Sequence, residues 1–200
     1  MSETYLQDQK AIYTVGHSNH SIDTFIHLLQ HSNIQVVVDI RSKPISRVVP
    51  HFNRKSLENA LKSAGIKYMY FGKELGGRPD GKEFYDTDGH VLYTLIAKTS
   101  AFNKAIDRLL RGIQQYRVAL LCSEENPANC HRRLLVGRVL VSRGVRMEHI
   151  SGDGRIQKEE ELWEGERNGQ LTLFEGKENN KWKSTQSVLP RKARNNSSEP

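Results

Sequence analysis

Two runs of apolar residues without polar alternation constrain the fold of this chain more than any other feature. The first contains the three consecutive valines Val36–Val38, and the second is Val118–Cys122. Continuous apolar runs of this length are typical of strands buried on both faces, and such strands occur mainly in parallel sheets covered by helices on both sides. The two runs therefore indicate an α/β fold.

The segments around these runs complete the pattern. Ala11–Val15, Ile66–Phe71 and Val145–Ile150 are predicted as further strands, and segments with helical spacing of apolar residues lie between them. This alternation predicts a three-layer, mostly parallel open sheet with helices on both faces, a Rossmann-like α/β architecture. In such sheets the ligand crevice lies beyond the C-terminal ends of the strands.

Charge and composition divide the chain into three parts. We predict an α/β domain over residues 1–150, an extension over 151–175 and a disordered basic tail over 176–200. Residues 176–200 carry six basic and two acidic side chains, which accounts for +4 of the net charge of +7. The basic character of the whole chain is therefore weak evidence for a nucleic-acid-binding surface on the domain.

Several classes of protein are disfavoured. No apolar run approaches the ~18 residues of a membrane span, and the polar residues 1–10 do not resemble a secretory signal. Two cysteines are too few for a disulfide scaffold. We therefore expect a cytoplasmic protein without a membrane partner, whose cysteines are reactive, metal-binding or simply buried.

The segment Cys122–Arg133 carries the strongest chemical signal. Cys122 leaves a predicted strand, and Cys130, His131 and Arg132 open the following helix. Unpaired N–H groups and the positive helix end stabilise a thiolate there. One mechanism uses Cys122 or Cys130 as nucleophile, with His131 or His17 as base.

Three alternatives remain open for this segment. A dithiol pair is less favoured because the spacing is wider than Cys-x-x-Cys. A metal site on both cysteines and a histidine is awkward, because adjacent Cys130 and His131 should point in different directions on a helix, and no metal is predicted. In the remaining alternative the cysteines are structural.

A second group of residues suits an anionic substrate. Arg41 and Arg47 follow the second strand, and with Arg132 and Ser18 they are predicted to bind the anion. Asp39 and Glu124 are predicted to orient these groups. Equally compatible with the sequence is a structural ion pair between Asp39 and one arginine.

Four blocks of this sequence resemble a known family. The blocks Thr14–Ser18, Asp39–Arg47, Leu75–Gly77 and Leu121–Arg132 look like the signature of domain-of-unknown-function family 488, and the resemblance covers about residues 12–150. It implies a compact α/β domain in which these blocks form one pocket. It does not supply a reaction, although some members carry labels that link them to DNA repair.

A second resemblance lies beyond that domain. The peptide Gln170–Phe174 is similar to the short motif by which bacterial polymerases and repair proteins dock on the sliding clamp. In such binding Leu173 and Phe174 enter an apolar pocket while Gln170 forms hydrogen bonds. Leu171 and Leu173 also fit an edge strand, so this alternative stays open.

Three functions follow from these patterns. The first is a DNA-repair-associated protein, recruited by the sliding clamp, whose Cys/His/Arg pocket acts on or binds an anionic nucleotide or nucleic acid. The second is a metabolic thiol-dependent enzyme acting on a small anionic molecule. The third is a non-catalytic module that binds nucleic acid or nucleotide. The cofactor, the reaction and the oligomeric state remain undetermined from the sequence.

Overall fold

A computed structural model describes residues 11–162 and 182–188 and contains one six-stranded sheet. The strands are β1 (Ala11–Gly16), β2 (Val36–Asp39), β3 (Lys67–Tyr70), β4 (Val118–Cys122), β5 (Arg146–Ile150) and β6 (Ile156–Lys158). Their order is β3-β2-β4-β1-β5-β6, and only the β5–β6 pair is antiparallel. The prediction of a three-layer, mostly parallel α/β fold is confirmed.

Helices connect the strands. They are α1 (Ile22–His31), α2 (Arg54–Ser63), α3 (Gly72–Leu75), α4 (Tyr93–Ile96), α5 (Ser100–Ile113) and α6 (Arg138–Ser142), with a π-helical turn at Arg132–Gly137 that leads into α6. Side chains cap the N-termini of α1 and α5. Ser21 accepts a hydrogen bond from the Thr24 N–H, and Thr99 accepts one from the Phe102 N–H. Within the described ranges, no helix is long and apolar enough to cross a membrane.

The two apolar faces of the sheet contact different helices. Val37 and Leu121 face one cluster with α1 and α2, whereas Val38 and Leu120 face the other with α5. This alternation follows from the two-residue period of a strand. It explains why the valine run contains no polar residue.

The strand order positions the functional residues. Strand β4 lies between β1 and β2, whereas β1 and β2 are neighbours in the usual dinucleotide-binding order. Gly16 pairs with Cys122 and Asp39 pairs with Leu121, so the three strands end at one level. The residues that follow β1, β2 and β4 therefore meet at one edge of the sheet.

The folded unit continues past Ile150. Strand β6 extends the sheet, and the next residue, Glu159, is buried. Its two carboxylate oxygens accept hydrogen bonds from Arg133 and His149, each at 2.7 Å. Part of the predicted extension over 151–175 is thus integral to the α/β domain.

Residues 182–188 return to the domain. The Trp182 indole donates to the Leu134 carbonyl at 2.6 Å and meets the Tyr93 ring edge-on, and Lys183 forms an ion pair with Asp86 at 2.8 Å. This stretch packs on the domain although it falls within the range 176–200 that was predicted to be disordered, because Trp182 buries apolar surface that offsets the cost of ordering. The rest of that range, and the peptide Gln170–Phe174, lie outside the described residues.

Candidate functional site

Two thiols and one imidazole converge at the C-terminal edge of the sheet. The Nδ1 atom of His131 lies 3.7 Å from the Cys122 sulfur and 3.8 Å from the Cys130 sulfur. All three atoms lie within 4.8 Å of one another. The segment predicted from the sequence therefore forms one constellation.

The backbone at Cys130 explains this convergence. Cys130 has extended dihedral angles (φ −103°, ψ 140°), whereas His131 is helical (φ −59°, ψ −23°). The expectation that these neighbours diverge assumed helical geometry at both positions, and it is wrong for that reason. The helical segment begins at His131 and not at Cys130.

The His131 ring is held in one orientation. Its Nε2–H donates to the Ile40 carbonyl at 3.1 Å, which leaves the Nδ1 lone pair directed at the sulfurs. Gly77 lies against the same ring, where a Cβ atom would stand 2.6 Å from Cγ. The second glycine of the Leu75–Gly77 block thus makes room for the imidazole.

The two thiols differ in acidity. A hydrogen bond from Cys130, together with nearby His131, holds the pKa of Cys122 well below its usual value although burial opposes this. Burial and the adjacent Cys122 raise the pKa of Cys130. Burial lowers the pKa of His131, but the Cys122 thiolate outweighs it and the net pKa is raised. Cys122 is the thiol that ionises first.

His17 supports the arginine that follows β2. Its Nδ1–H donates to the Ser18 carbonyl at 2.8 Å, and its Nε2 accepts from Arg41 at 3.0 Å. Burial and the neighbouring guanidinium lower the pKa of His17 to about 4. Both ring nitrogens are engaged, so His131 and not His17 is the group placed to act as base for Cys122.

Arg41 is fixed by Asp39. Its Nε and Nη2 atoms donate to the two carboxylate oxygens at 2.9 and 2.6 Å, and Tyr68 donates to the same carboxylate at 2.8 Å. The pair is almost fully buried. Asp39 therefore orients Arg41, which still lines the cavity above Cys122.

Arg132, which the sequence predicts as an anion ligand, does not line the cavity above Cys122. Arg132 is fully buried, and its guanidinium donates to the carbonyls of Glu124 and Glu125 and to the Thr14 hydroxyl. These contacts leave the side chain facing the protein interior. Arg132 holds the loop that follows β4 in place, and Glu124 contributes its carbonyl to this arrangement.

Two other predicted anion ligands lie elsewhere. Arg47 is exposed and Ser18 adopts a left-handed turn with φ 45°; neither lines the cavity above Cys122. The Ser18 N–H donates to the Ser123 carbonyl at 3.1 Å. Ser18 therefore helps to position the loop after β4 and does not face the cavity.

A cavity of about 290 Å³ opens above the thiols. Besides Arg41, Cys122, Cys130 and His131, its lining includes residues that the sequence analysis missed: Lys43, Arg78, Tyr93, Asn129, Ser184, Thr185 and Gln186. Lys43 and Arg78 are exposed and add positive charge. Lys43 lies inside the block Asp39–Arg47 and Arg78 directly follows the block Leu75–Gly77, which was a usable signal, whereas nothing in the sequence indicated residues 184–186.

The donor set defines what the site can do. A thiol next to an oriented imidazole can act as a nucleophile, and two sulfurs with one nitrogen can hold a soft metal ion. The chain is thus an α/β protein with a Cys–Cys–His pocket at the C-terminal edge of a parallel sheet.

The model of the family described as domain of unknown function DUF488 matches residues 21–139, more than half of the chain. The chain belongs to this family. No curated protein and no solved structure matches it. The matched region contains both cysteines, His131 and Arg41, while β5, β6 and residues 182–188 lie beyond it.

Proposed function

We propose that this protein is a cysteine-dependent enzyme acting on a small anionic molecule. The observation that carries the proposal is the position of the Cys122 sulfur, 3.7 Å from the His131 Nδ1 atom and in the wall of a cavity that Lys43 and Arg78 also line. A nucleophile, its base and positive charge thus share one space.

Each group has a distinct role. Cys122 attacks the substrate, and His131 takes the thiol proton while its other nitrogen stays bound to the Ile40 carbonyl. Lys43 and Arg78 attract the anionic group at the rim. Arg41 lies deeper, where Asp39 and His17 fix its guanidinium.

The cavity dimensions limit the substrate. A volume of about 290 Å³ lies at the lower end of ligand pockets and suits a small molecule, or the anionic end of a larger one. This favours a small-molecule substrate over a duplex nucleic acid, which needs an extended positive surface.

The test compares alkylation by iodoacetate, an anion, with alkylation by neutral iodoacetamide, on the full chain in the presence of a chelator. We expect the rate ratio of iodoacetate to iodoacetamide at Cys122 to exceed that of glutathione. Lys43→Ala and Arg78→Ala should lower the ratio, and Lys104→Ala, on α5 and outside the cavity lining, is the matched control. A ratio equal to that of glutathione would refute an anion-selective thiol site.

Association with DNA repair through the sliding clamp remains a separate proposal. It rests on the sequence of Gln170–Phe174 alone. Deletion of these five residues should abolish co-purification with the clamp and leave the alkylation ratio unchanged. Clamp binding that survives the deletion would contradict the docking role.

A further inference from the structure

We propose that Cys122, Cys130 and His131 form a binding site for a soft divalent cation of the zinc class. The site goes beyond the proposed thiol chemistry, because ion binding needs no substrate and no catalytic step. Three side chains supply two sulfurs and one nitrogen, and all three residues line the cavity. One coordination position is therefore left for a ligand from solution.

The sulfur–nitrogen distances fit tetrahedral coordination. Metal–sulfur bonds of about 2.3 Å and metal–nitrogen bonds of about 2.0–2.1 Å place the donors of a tetrahedral zinc ion roughly 3.5–3.8 Å apart. The two sulfur–nitrogen distances here are 3.7 and 3.8 Å. The two sulfur atoms lie within 4.8 Å of each other, so coordination requires them to approach by at most about 1 Å.

The surroundings of His131 also suit a metal ligand. Histidine ligands usually donate their second ring N–H to a backbone carbonyl or a carboxylate, which fixes the tautomer. The Nε2–H of His131 does this with the Ile40 carbonyl at 3.1 Å. The Nδ1 lone pair is consequently free to bind the ion, and Gly77 leaves space for the ring in this orientation.

The donor atoms select the ion. Calcium and magnesium require oxygen ligands, whereas two thiolates and an imidazole favour zinc, cobalt or cadmium. Asp39 is a buried carboxylate next to Arg41, but its oxygens already accept hydrogen bonds from Arg41 and Tyr68 and do not serve as ligands. Binding forms two metal–sulfur bonds and one metal–nitrogen bond and releases two protons to the buffer, one from the Cys130 thiol and one that Cys122 and His131 share.

Occupancy has a consequence for the proposed function. A sulfur that binds the ion donates electron density to it and is crowded by it, so the ion would lower the reactivity of Cys122 toward a substrate. This regulatory consequence, unlike ion binding itself, rests on the proposed nucleophile. The ion and an alkylating reagent should therefore compete for the same sulfur.

The direct test titrates Co²⁺ into the reduced full-length protein under anaerobic conditions. We expect one equivalent to bind, with a thiolate-to-cobalt charge-transfer band and the intense visible bands of tetrahedral cobalt. Zn²⁺ should abolish these bands and Mg²⁺ should not. Cys130→Ser and His131→Gln should each weaken binding at least about tenfold.

Two controls make the result decisive. Lys43→Ala is expected to lower the rate ratio of iodoacetate to iodoacetamide at Cys122 and to leave the cobalt bands unchanged. Failure of the thiol proposal can therefore be distinguished from failure of the metal site. Circular dichroism of each variant establishes that it folds. Wild-type protein with two titratable thiols and no charge-transfer band, or a band retained in folded Cys130→Ser, would overturn the metal site.

Discussion

Gly77 lies against the imidazole of His131 so closely that a methyl group at position 77 would stand 2.6–2.9 Å from three ring and side-chain atoms. This contact links the loop after α3 to the constellation at the end of β4. Because His131 is held on its other side by the Ile40 carbonyl, it cannot yield without losing that hydrogen bond. The position of His131 therefore depends on a glycine more than fifty residues away in the sequence.

Gly77→Ala should displace His131 and impair both Cys122 reactivity and cobalt binding. Overpacking at such a contact costs about 1–3 kcal/mol of folding free energy, so the variant should still fold. Gly112→Ala is the control, because no atom lies within 4 Å of its Cβ position in α5. That change should stabilise the protein by about 0.5–1 kcal/mol in urea unfolding. Unaltered alkylation of Cys122 in Gly77→Ala would contradict the positioning role.

Arg132→Met should destabilise the protein severely. The substitution removes the donor of the part-buried Glu124 and Glu125 carbonyl groups, at a cost of up to about 1–3 kcal/mol for each. Denaturant unfolding measures the loss, with exposed Arg47→Ala expected to stay within about 0.5 kcal/mol of wild type. A comparably small effect for Arg132→Met would show that the guanidinium is not a structural donor.

The lowered pKa of His17 predicts that the folding free energy decreases in acid. Its pKa is about 4 in the folded protein, against an ordinary value of 6.5, because the ring is buried beside Arg41. Between pH 6.5 and 4 the unfolded chain binds the proton more tightly, so stability is full above pH 6.5 and falls as the pH drops. The shift corresponds to about 3 kcal/mol at its limit.

The measurement compares wild type with His17→Gln by urea unfolding at pH 7 and at pH 4.5. The wild type should lose more stability across this interval than the variant does. Equal losses would mean that His17 is not held neutral in the fold.

Trp182→Ala should weaken the attachment of residues 184–186, which line the cavity, to the rest of the domain. The indole donates to the Leu134 carbonyl, and the Arg138 guanidinium lies 4.9 Å from the centre of its ring. Loss of these contacts from a half-buried site should cost about 1–3 kcal/mol. A near-ultraviolet circular dichroism change and easier proteolysis after Lys183 are expected. Unchanged stability and proteolysis would contradict the packing of this segment.

The sequence predicted the fold well because burial on both faces leaves a clear pattern. The valines of β2 and the apolar run of β4 carry no polar residue. The order of the strands was not predictable in the same way. It depends on β4 inserting between β1 and β2, and no local pattern encodes a pairing between segments so distant in the chain.

The site was predicted in its components and not in its geometry. The residue types in Cys122–Arg133 were sufficient to predict a candidate site. The orientation of the Arg132 side chain toward the interior was not predictable, because it depends on where the fold places the carbonyls of Glu124 and Glu125. The extended backbone at Cys130 similarly brings its sulfur next to His131. The packing of Trp182 was not predictable from the polar residues around it, because its apolar partners, such as Tyr93, come from another part of the sequence.

The most direct test of the central claim identifies which cysteine reacts. Reduced, metal-free protein is treated with less than one equivalent of iodoacetate at pH 7, and the labelled residue is located by peptide mass spectrometry. The account predicts that the label lies predominantly on Cys122, that Cys130→Ser retains it, and that His131→Gln reacts more slowly. Predominant labelling of Cys130, or equal labelling of both residues at the rate of an unfolded chain, would contradict it.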